Sequence, residues 1–343
     1  MGLDIYPLIR PLLFHLDPEV AHRFTLTTLA QVHRLGLLAP FMPRRVECPR
    51  TVMGLRFPNP VGLAAGLDKE GECLEALGAL GFGFVEVGTV TPRPQPGNPR
   101  PRMFRLPAAQ ALINRMGFNN QGVEALVGRL RRVHFDGIIG VNIGKNRDTP
   151  LEEAVADYLI CLRRVYSYAD YVAINISSPN TPQLRRLQTG AALSHLLATL
   201  KAEQGRLADE YRRTVPLAIK IAPDLSPEEV TDLAHILLTE GVDGVIATNT
   251  TVAREAIAHL HHGTEEGGLS GAPLAARATA VVEGLHAVLG ERIPIIGSGG
   301  ILTPADALAR QAAGAALVQL YTGLIYRGPM LVTEVARAFC ITS

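Results

Sequence analysis

What most constrains this chain is a pattern repeated eight times from about residue 60. A short apolar, β-branched run ends in glycine or polar residues, and an amphipathic segment follows. The runs are Val61–Ala64, Phe84–Val87, Ile138–Ile143, Tyr171–Ile176, Leu217–Ile221, Gly244–Ala247, Ile293–Ile296 and Ala316–Leu320. Continuous apolar strands without alternation belong to a parallel sheet covered on both faces. Eight strand–helix units in succession close such a sheet, so the expected fold is α/β, a (β/α)8 TIM barrel. Helix starts agree. Ser226-Pro227-Glu228-Glu229 offers a capping serine, a proline at the first helical position and a glutamate to reach back, and Thr303-Pro304-Ala305-Asp306 does the same with an aspartate.

Two connections are long. Thr91–Asp136 begins with the proline-rich stretch Thr91–Pro107, and Thr251–Arg292 carries His261-His262 and Gly267-Gly268. Insertions at the C-terminal mouth of a barrel cover or shape an active site. The first forty residues stand outside the repeat. Asp17-Pro18-Glu19 predicts a capped helix running to His33 or Arg34 with Gly36 as its stop, and Ile5, Leu8, Leu12 and Leu13 form a shorter apolar stripe before it. The expected division is an N-terminal helical hairpin over 1–42, leading through Pro40, Pro43 and Pro49 into a barrel over 43–343. On pattern alone the hairpin packs its apolar face on the barrel or serves a function of its own.

Composition excludes several classes. With 33 basic and 32 acidic residues the chain has no electrostatic case for nucleic acid. Cys48, Cys73, Cys161 and Cys340 are far apart, which predicts isolated buried thiols in a reducing compartment, without a disulfide framework or a zinc site. No run of eighteen apolar residues occurs, and Asp4, Asp17 and Glu19 sit where a signal peptide would be basic and apolar. The expectation is a protein neither secreted nor integral, with adsorption to a membrane surface left open.

Barrel enzymes place their chemistry where strands end. Here those ends carry asparagine, threonine, lysine and glycine, with no metal-ligand spacing and no histidine. That set suits a polar planar ligand and a phosphate better than a hydrolytic triad. Gly297-Ser298-Gly299-Gly300 after the seventh run and Tyr321-Thr322-Gly323 after the eighth can present backbone N–H groups to phosphate. Lys220 sits in an apolar strand, where a buried ammonium needs a negative partner. A carboxylate such as Asp224 or Asp243 would serve, or a ligand that becomes anionic, as a reduced flavin does.

Several motifs then become recognisable together. Ala65-Gly66-Leu67-Asp68-Lys69, Asn114-Arg115-Met116-Gly117-Phe118-Asn119-Asn120, Asn175-Ile176-Ser177-Ser178-Pro179-Asn180, Lys220, Thr248-Asn249-Thr250, Gly268-Leu269-Ser270-Gly271 and Gly299-Gly300 closely resemble those of the dihydroorotate dehydrogenase family, in order over roughly residues 5 to 335. The resemblance implies oxidation of dihydroorotate to orotate with bound FMN. It assigns cofactor contacts to Ala65, Gly66, Leu67, Asp68, Lys69, Thr89, Asn142, Asn175, Lys220, Thr248, Gly271, Gly300, Tyr321 and Thr322. It assigns substrate contacts to Lys69, Asn114, Arg115, Met116, Gly117, Phe118, Asn175, Asn180, Asn249 and Thr250. The substrate's carboxylate suits a lysine, and its ring amides suit asparagines, each of which carries a donor and an acceptor. Ser178 is then the base that takes the C5 proton and passes it on through a water or a hydroxyl such as that of Thr181.

The residue at 178 also divides the family. Members with cysteine there are soluble and use fumarate or NAD; those with serine carry a helical extension and use a membrane quinone. Ser178, Asp17 to Arg23 and Asn98 to Arg105 match the second class, in which His22 and Arg105 would line a quinone tunnel. The resemblance therefore implies a bacterial-type monomer held peripherally at the cytoplasmic side of the inner membrane, taking ubiquinone or menaquinone. The rivals are the fumarate- or NAD-linked class, a tRNA dihydrouridine synthase and a non-catalytic barrel that binds a phosphorylated ligand. No metal is expected.

Overall fold

The computed structural model describes residues 4–42 and 45–341. Its centre is a closed parallel barrel of β1 (Val61–Leu63), β2 (Phe84–Val90), β3 (Ile138–Ile143), β4 (Tyr171–Asn175), β5 (Leu217–Ile221), β6 (Gly244–Ala247), β7 (Ile295–Ser298) and β8 (Ala315–Leu320). The strands pair in chain order and β8 returns to β1. All eight fall on the predicted runs. β7 starts two residues later than expected, because Pro294 has no N–H to give the ladder.

Small residues make room for large ones inside the barrel. A Cβ at Gly62 would lie 2.2 Å from the Phe84 ring, and one at Gly140 would lie 2.2 Å from the Tyr171 ring. An antiparallel hairpin, Arg50–Val52 with Leu55–Phe57, plugs the N-terminal end. Its Phe57 ring meets Phe84 edge-on with centroids 5.2 Å apart, and Val52 and Phe57 join Phe84, Tyr171, Ile246 and Leu317 in one core cluster. That end is filled, which leaves the C-terminal mouth as the way into the barrel interior. Helices cover the outer faces over a second, larger apolar core. Both predicted capping boxes form: Glu229 N–H donates to Ser226 Oγ, while Asp306 Oδ2 accepts from Thr303 N–H.

The two long connections build one object. Met103–Leu106 and Ala111–Asn114 from the first join Gly268–Gly271 from the second in a three-stranded antiparallel sheet, with 111–114 in the middle. This sheet roofs the barrel mouth.

The N-terminal hairpin consists of α1 (Tyr6–His15) and α2 (Pro18–Arg34). Asp17 caps α2 by accepting from the N–H groups of Glu19 and Val20, at 2.9 and 3.0 Å. Glu19 anchors α2 through Arg102 at 2.7 Å and Arg100 at 3.0 Å. The Arg10 guanidinium holds α1 by donating to the Tyr326 carbonyl at 2.7 Å. On the hairpin Leu8 is 77% and Leu12 71% exposed on α1, and Val20 and Phe24 on α2 are also exposed. Among the described residues no helix is long and apolar enough to cross a membrane. The expected boundary at residues 42 and 43 falls against Pro43 and Arg44, which lie outside the described residues.

One expectation is corrected. Cys73 and Cys161 are buried free thiols, but Cys48 and Cys340 form a disulfide. They are 292 residues apart. Closure of the barrel brings the segment before the plug against the last helix, Met330–Ile341, a proximity that linear spacing does not reveal.

Candidate active site

The strand ends and the roof sheet enclose a cavity of about 990 Å³, counting its open mouth. The barrel contributes Ala65, Gly66 and Lys69 after β1, Thr89 from β2, and Asn175, Ser178 and Asn180 from the end of β4. Lys220 from β5, Thr248, Asn249 and Thr250 after β6, Gly300 after β7, and Tyr321 and Thr322 after β8 complete that set. The roof adds Asn114, Met116, Gly117, Phe118 and Gly271. Residues from seven strand ends and two insertions thus converge on one space.

Asparagines form a fixed mesh on one side. Asn175 Nδ2 donates to Thr89 Oγ1 at 3.0 Å, and Asn249 Nδ2 donates to Ser177 Oγ at 3.0 Å. Asn180 Nδ2 donates to the Asn114 carbonyl at 3.1 Å, which ties the β4 loop to the roof. Ser178 is 5% exposed, and its Oγ accepts from Asn180 N–H at 3.2 Å. An N–H pointing at that oxygen favours its deprotonated form. Arg185, on the segment after Asn180, braces the loop by donating to the carbonyls of Ser177 and Thr250 at 3.0 and 2.9 Å and pairing with Asp224 at 2.8 Å. Lys69 Nζ donates to Asn119 Oδ1 at 2.8 Å. Burial, and after it the Arg102 cation, lowers the Lys69 pKa to about 8. The amine is therefore still mainly protonated at neutral pH and can meet a carboxylate.

The opposite side is a glycine cradle. The turn Ser298–Gly300 rests on the start of the helix Ala275–Leu289, so closely that a Cβ on Gly300 would lie 2.4 Å from Ala275 Cα. Arg310, 1% exposed, clamps it by donating to the carbonyls of Ser298, Gly299 and Ala275 at 3.2, 2.9 and 3.2 Å. Thr322 Oγ1 donates to Ser270 Oγ at 2.8 Å across the cradle. A close-packed glycine turn beside a helix start suits a phosphate.

Beneath the cavity lies a buried polar layer. The expected carboxylate partners of Lys220 are corrected here: Asp224 pairs with Arg185 and Asp243 with Lys201, whereas Lys220 Nζ meets Glu86 Oε1 at 3.4 Å. Glu86 points into the barrel from β2, so parallel register rather than sequence proximity sets the pairing. Gln319 lines the cavity, donates Nε2 to Glu86 Oε2 at 2.7 Å, and its buried Oε1 has no hydrogen-bond partner among the described residues. A lysine, an unpaired amide oxygen and a backbone cradle in one cavity fit a phosphorylated planar ligand.

A second cavity, about 1250 Å³ and lined almost wholly by apolar side chains, lies between the hairpin and the barrel. His22 and Arg105 both line it. Burial lowers the His22 pKa to about 4, with the Lys69 cation adding to the effect, so its ring is neutral at physiological pH. Arg105 donates to the carbonyls of Phe14 and Leu16 at 3.1 and 2.7 Å and stacks on the Phe14 ring. Tyr321 is among the residues lining both cavities.

Four residues expected at the site stand away from the first cavity. Leu67 lines the apolar one instead. Asp68 caps its own loop by accepting from Glu72 and Cys73 N–H. Arg115 pairs with Glu265 at 2.8 Å and lies over the Phe104 ring. Asn142 sits one layer below, accepting from Asn175 Nδ2 at 3.2 Å and donating to Glu86 at 2.8 Å. Sequence reasoning missed Glu86, Gln319, Arg185 and Arg310. A carboxylate inside Phe84-Val85-Glu86-Val87 was the available signal for the first.

A family model described as dihydroorotate dehydrogenase matches residues 48–340. A relative from Nitrosospira multiformis, called dihydroorotate dehydrogenase (quinone), is 58% identical over 337 residues, covering 98% of this chain and 96% of its own. One of the same description from Ralstonia nicotianae is 60% identical, covering 97% and 98%. The solved structure of ligand-free DHODH from Eimeria tenella superposes with a TM-score of 0.85 at 40% identity, covering 94% of each chain. The chain belongs to the dihydroorotate dehydrogenase family.

Proposed function

We propose that this protein oxidises dihydroorotate to orotate in pyrimidine synthesis, with bound FMN as hydride acceptor and a membrane quinone, ubiquinone or menaquinone, as final electron acceptor. The observation that carries the reading is Tyr321, which lines both the polar cavity holding Ser178 and the apolar cavity under the hairpin. Two cavities of opposite chemistry that share one lining residue suit a cofactor that is reduced from one and oxidised from the other.

FMN, when bound, supplies a hydride acceptor at its N5. The chain's own groups do the rest. Ser178 Oγ takes the C5 proton, helped by the Asn180 N–H that it already accepts. Lys69 meets the substrate carboxylate, and Asn114, Asn175, Asn180 and Asn249 orient its ring. The cradle at Gly271, Gly300, Tyr321 and Thr322 would hold the phosphate of FMN, and Lys220 would balance the negative charge its ring gains on reduction. In the second cavity neutral His22 and the Arg105 guanidinium offer donors to quinone carbonyls. The hairpin, residues 1–42, sits on the cytoplasmic face of the membrane, with exposed Leu8, Leu12 and Phe24 in the lipid surface.

The test uses the purified protein. It should be yellow and release FMN on denaturation, bleach anaerobically with dihydroorotate, and recover its colour on addition of a short-chain quinone. No bleaching refutes the substrate. Recovery with fumarate or NAD but not quinone refutes the acceptor.

A further inference from the structure

The polar layer under the cavity contains a group the reaction described above does not use. Glu86 is fully buried on β2 and receives four donors. Asn142 Nδ2 at 2.8 Å and Lys220 Nζ at 3.4 Å reach Oε1, while Tyr171 OH at 2.8 Å and Gln319 Nε2 at 2.7 Å reach Oε2. Below this layer the barrel is filled by Phe84, Ala173, Ala218, Ile246 and Leu317. Packing alone would be served by one more apolar layer, since burying a carboxylate is costly unless it is paired and hydrogen-bonded. The network also contacts the site directly: Lys220 and Gln319 line the cavity, and Asn142 reaches the lining residue Asn175.

Resting on the flavin reading above, we infer that Glu86 is a positioning residue that acts through Lys220 to hold the flavin's reduction potential down. Oxidised flavin is neutral and meets a lysine whose charge is balanced from behind. Reduced flavin carries negative charge on its pyrimidine ring, and there Lys220 attracts it while Glu86 repels it. Without the carboxylate charge the lysine would over-stabilise the reduced form and hinder onward transfer. Glu86 thus tunes the cofactor without touching it.

The experiment measures the midpoint potential of the bound flavin anaerobically against a reference dye, in wild type, Glu86→Gln and Glu86→Asp holoenzymes. Glu86→Gln should favour reduced flavin at least tenfold more than wild type, about 30 mV upward for a two-electron couple. Glu86→Asp keeps the charge and should return most of that shift. A potential that stays or falls in Glu86→Gln overturns the inference, as does an equal rise in Glu86→Asp. Two variants that fold by circular dichroism yet hold no FMN, or that do not fold, would assign Glu86 a purely structural role. A wild-type protein without flavin refutes the proposed function itself, a separate result.

Discussion

Gly300→Ala separates the glycine cradle's role from ordinary backbone strain. The added Cβ would lie 2.4 Å from Ala275 Cα and 2.5 Å from Ala275 N, about 1 Å inside the roughly 3.5 Å optimum of a carbon contact. Those atoms are backbone at the start of a helix, and Arg310 clamps both partners, so the turn has no soft direction in which to yield. The overlap costs about 1–3 kcal/mol as overpacking, and the positive φ of +72° adds about 1–2 kcal/mol for a residue with a Cβ. A turn pushed outward by that distance would lose a charge-assisted hydrogen bond to phosphate worth about 1.5–3 kcal/mol, weakening FMN binding roughly tenfold to a hundredfold. Gly241→Ala is the matched control. Its φ is +63° in a left-handed helix cap, with nothing within 4 Å of the added Cβ, so it carries only the conformational cost. FMN titration of apoprotein followed by flavin fluorescence, together with thermal unfolding, reads both quantities. Unchanged FMN affinity in Gly300→Ala, or an equal loss in Gly241→Ala, would refute the cradle.

Three further outcomes follow from the geometry. Ser178→Ala should retain FMN but slow anaerobic flavin reduction by dihydroorotate about 10²- to 10⁴-fold in stopped flow, and unchanged reduction would remove Ser178 from the proton step. Lys69 is charged below its pKa of about 8 and loses that charge above it, so KM for dihydroorotate should rise with pH past about 8. Lys69→Met should give a high KM independent of pH over the same range, and a wild-type KM flat to pH 9.5 would contradict the carboxylate contact. Leu8→Asp with Leu12→Asp, on the exposed face of α1, should weaken binding to phospholipid vesicles at least about a hundredfold while leaving dye-linked dihydroorotate oxidation intact. Undiminished vesicle binding would place the membrane contact elsewhere.

The primary sequence determined the barrel and most of the cavity by itself. Strand runs, capping boxes and glycine turns are local signals, because backbone conformation and burial pattern are set within a few residues. Ser178, Lys220 and the asparagines were legible because strand ends in this fold must face one mouth. Contacts across the barrel were not legible. Glu86 finds Lys220 134 residues away, Cys48 finds Cys340 292 away, and strands 103–106 and 268–271 share a roof with 111–114. Sequence also suggested Asp224 or Asp243 for Lys220, whereas the fold pairs those two with Arg185 and Lys201 and aims Glu86 inward. Only closure of the sheet decides which side chains from different strands share a layer. That is why most of the residues lining the cavity could be read from the sequence, and the charge behind Lys220 could not.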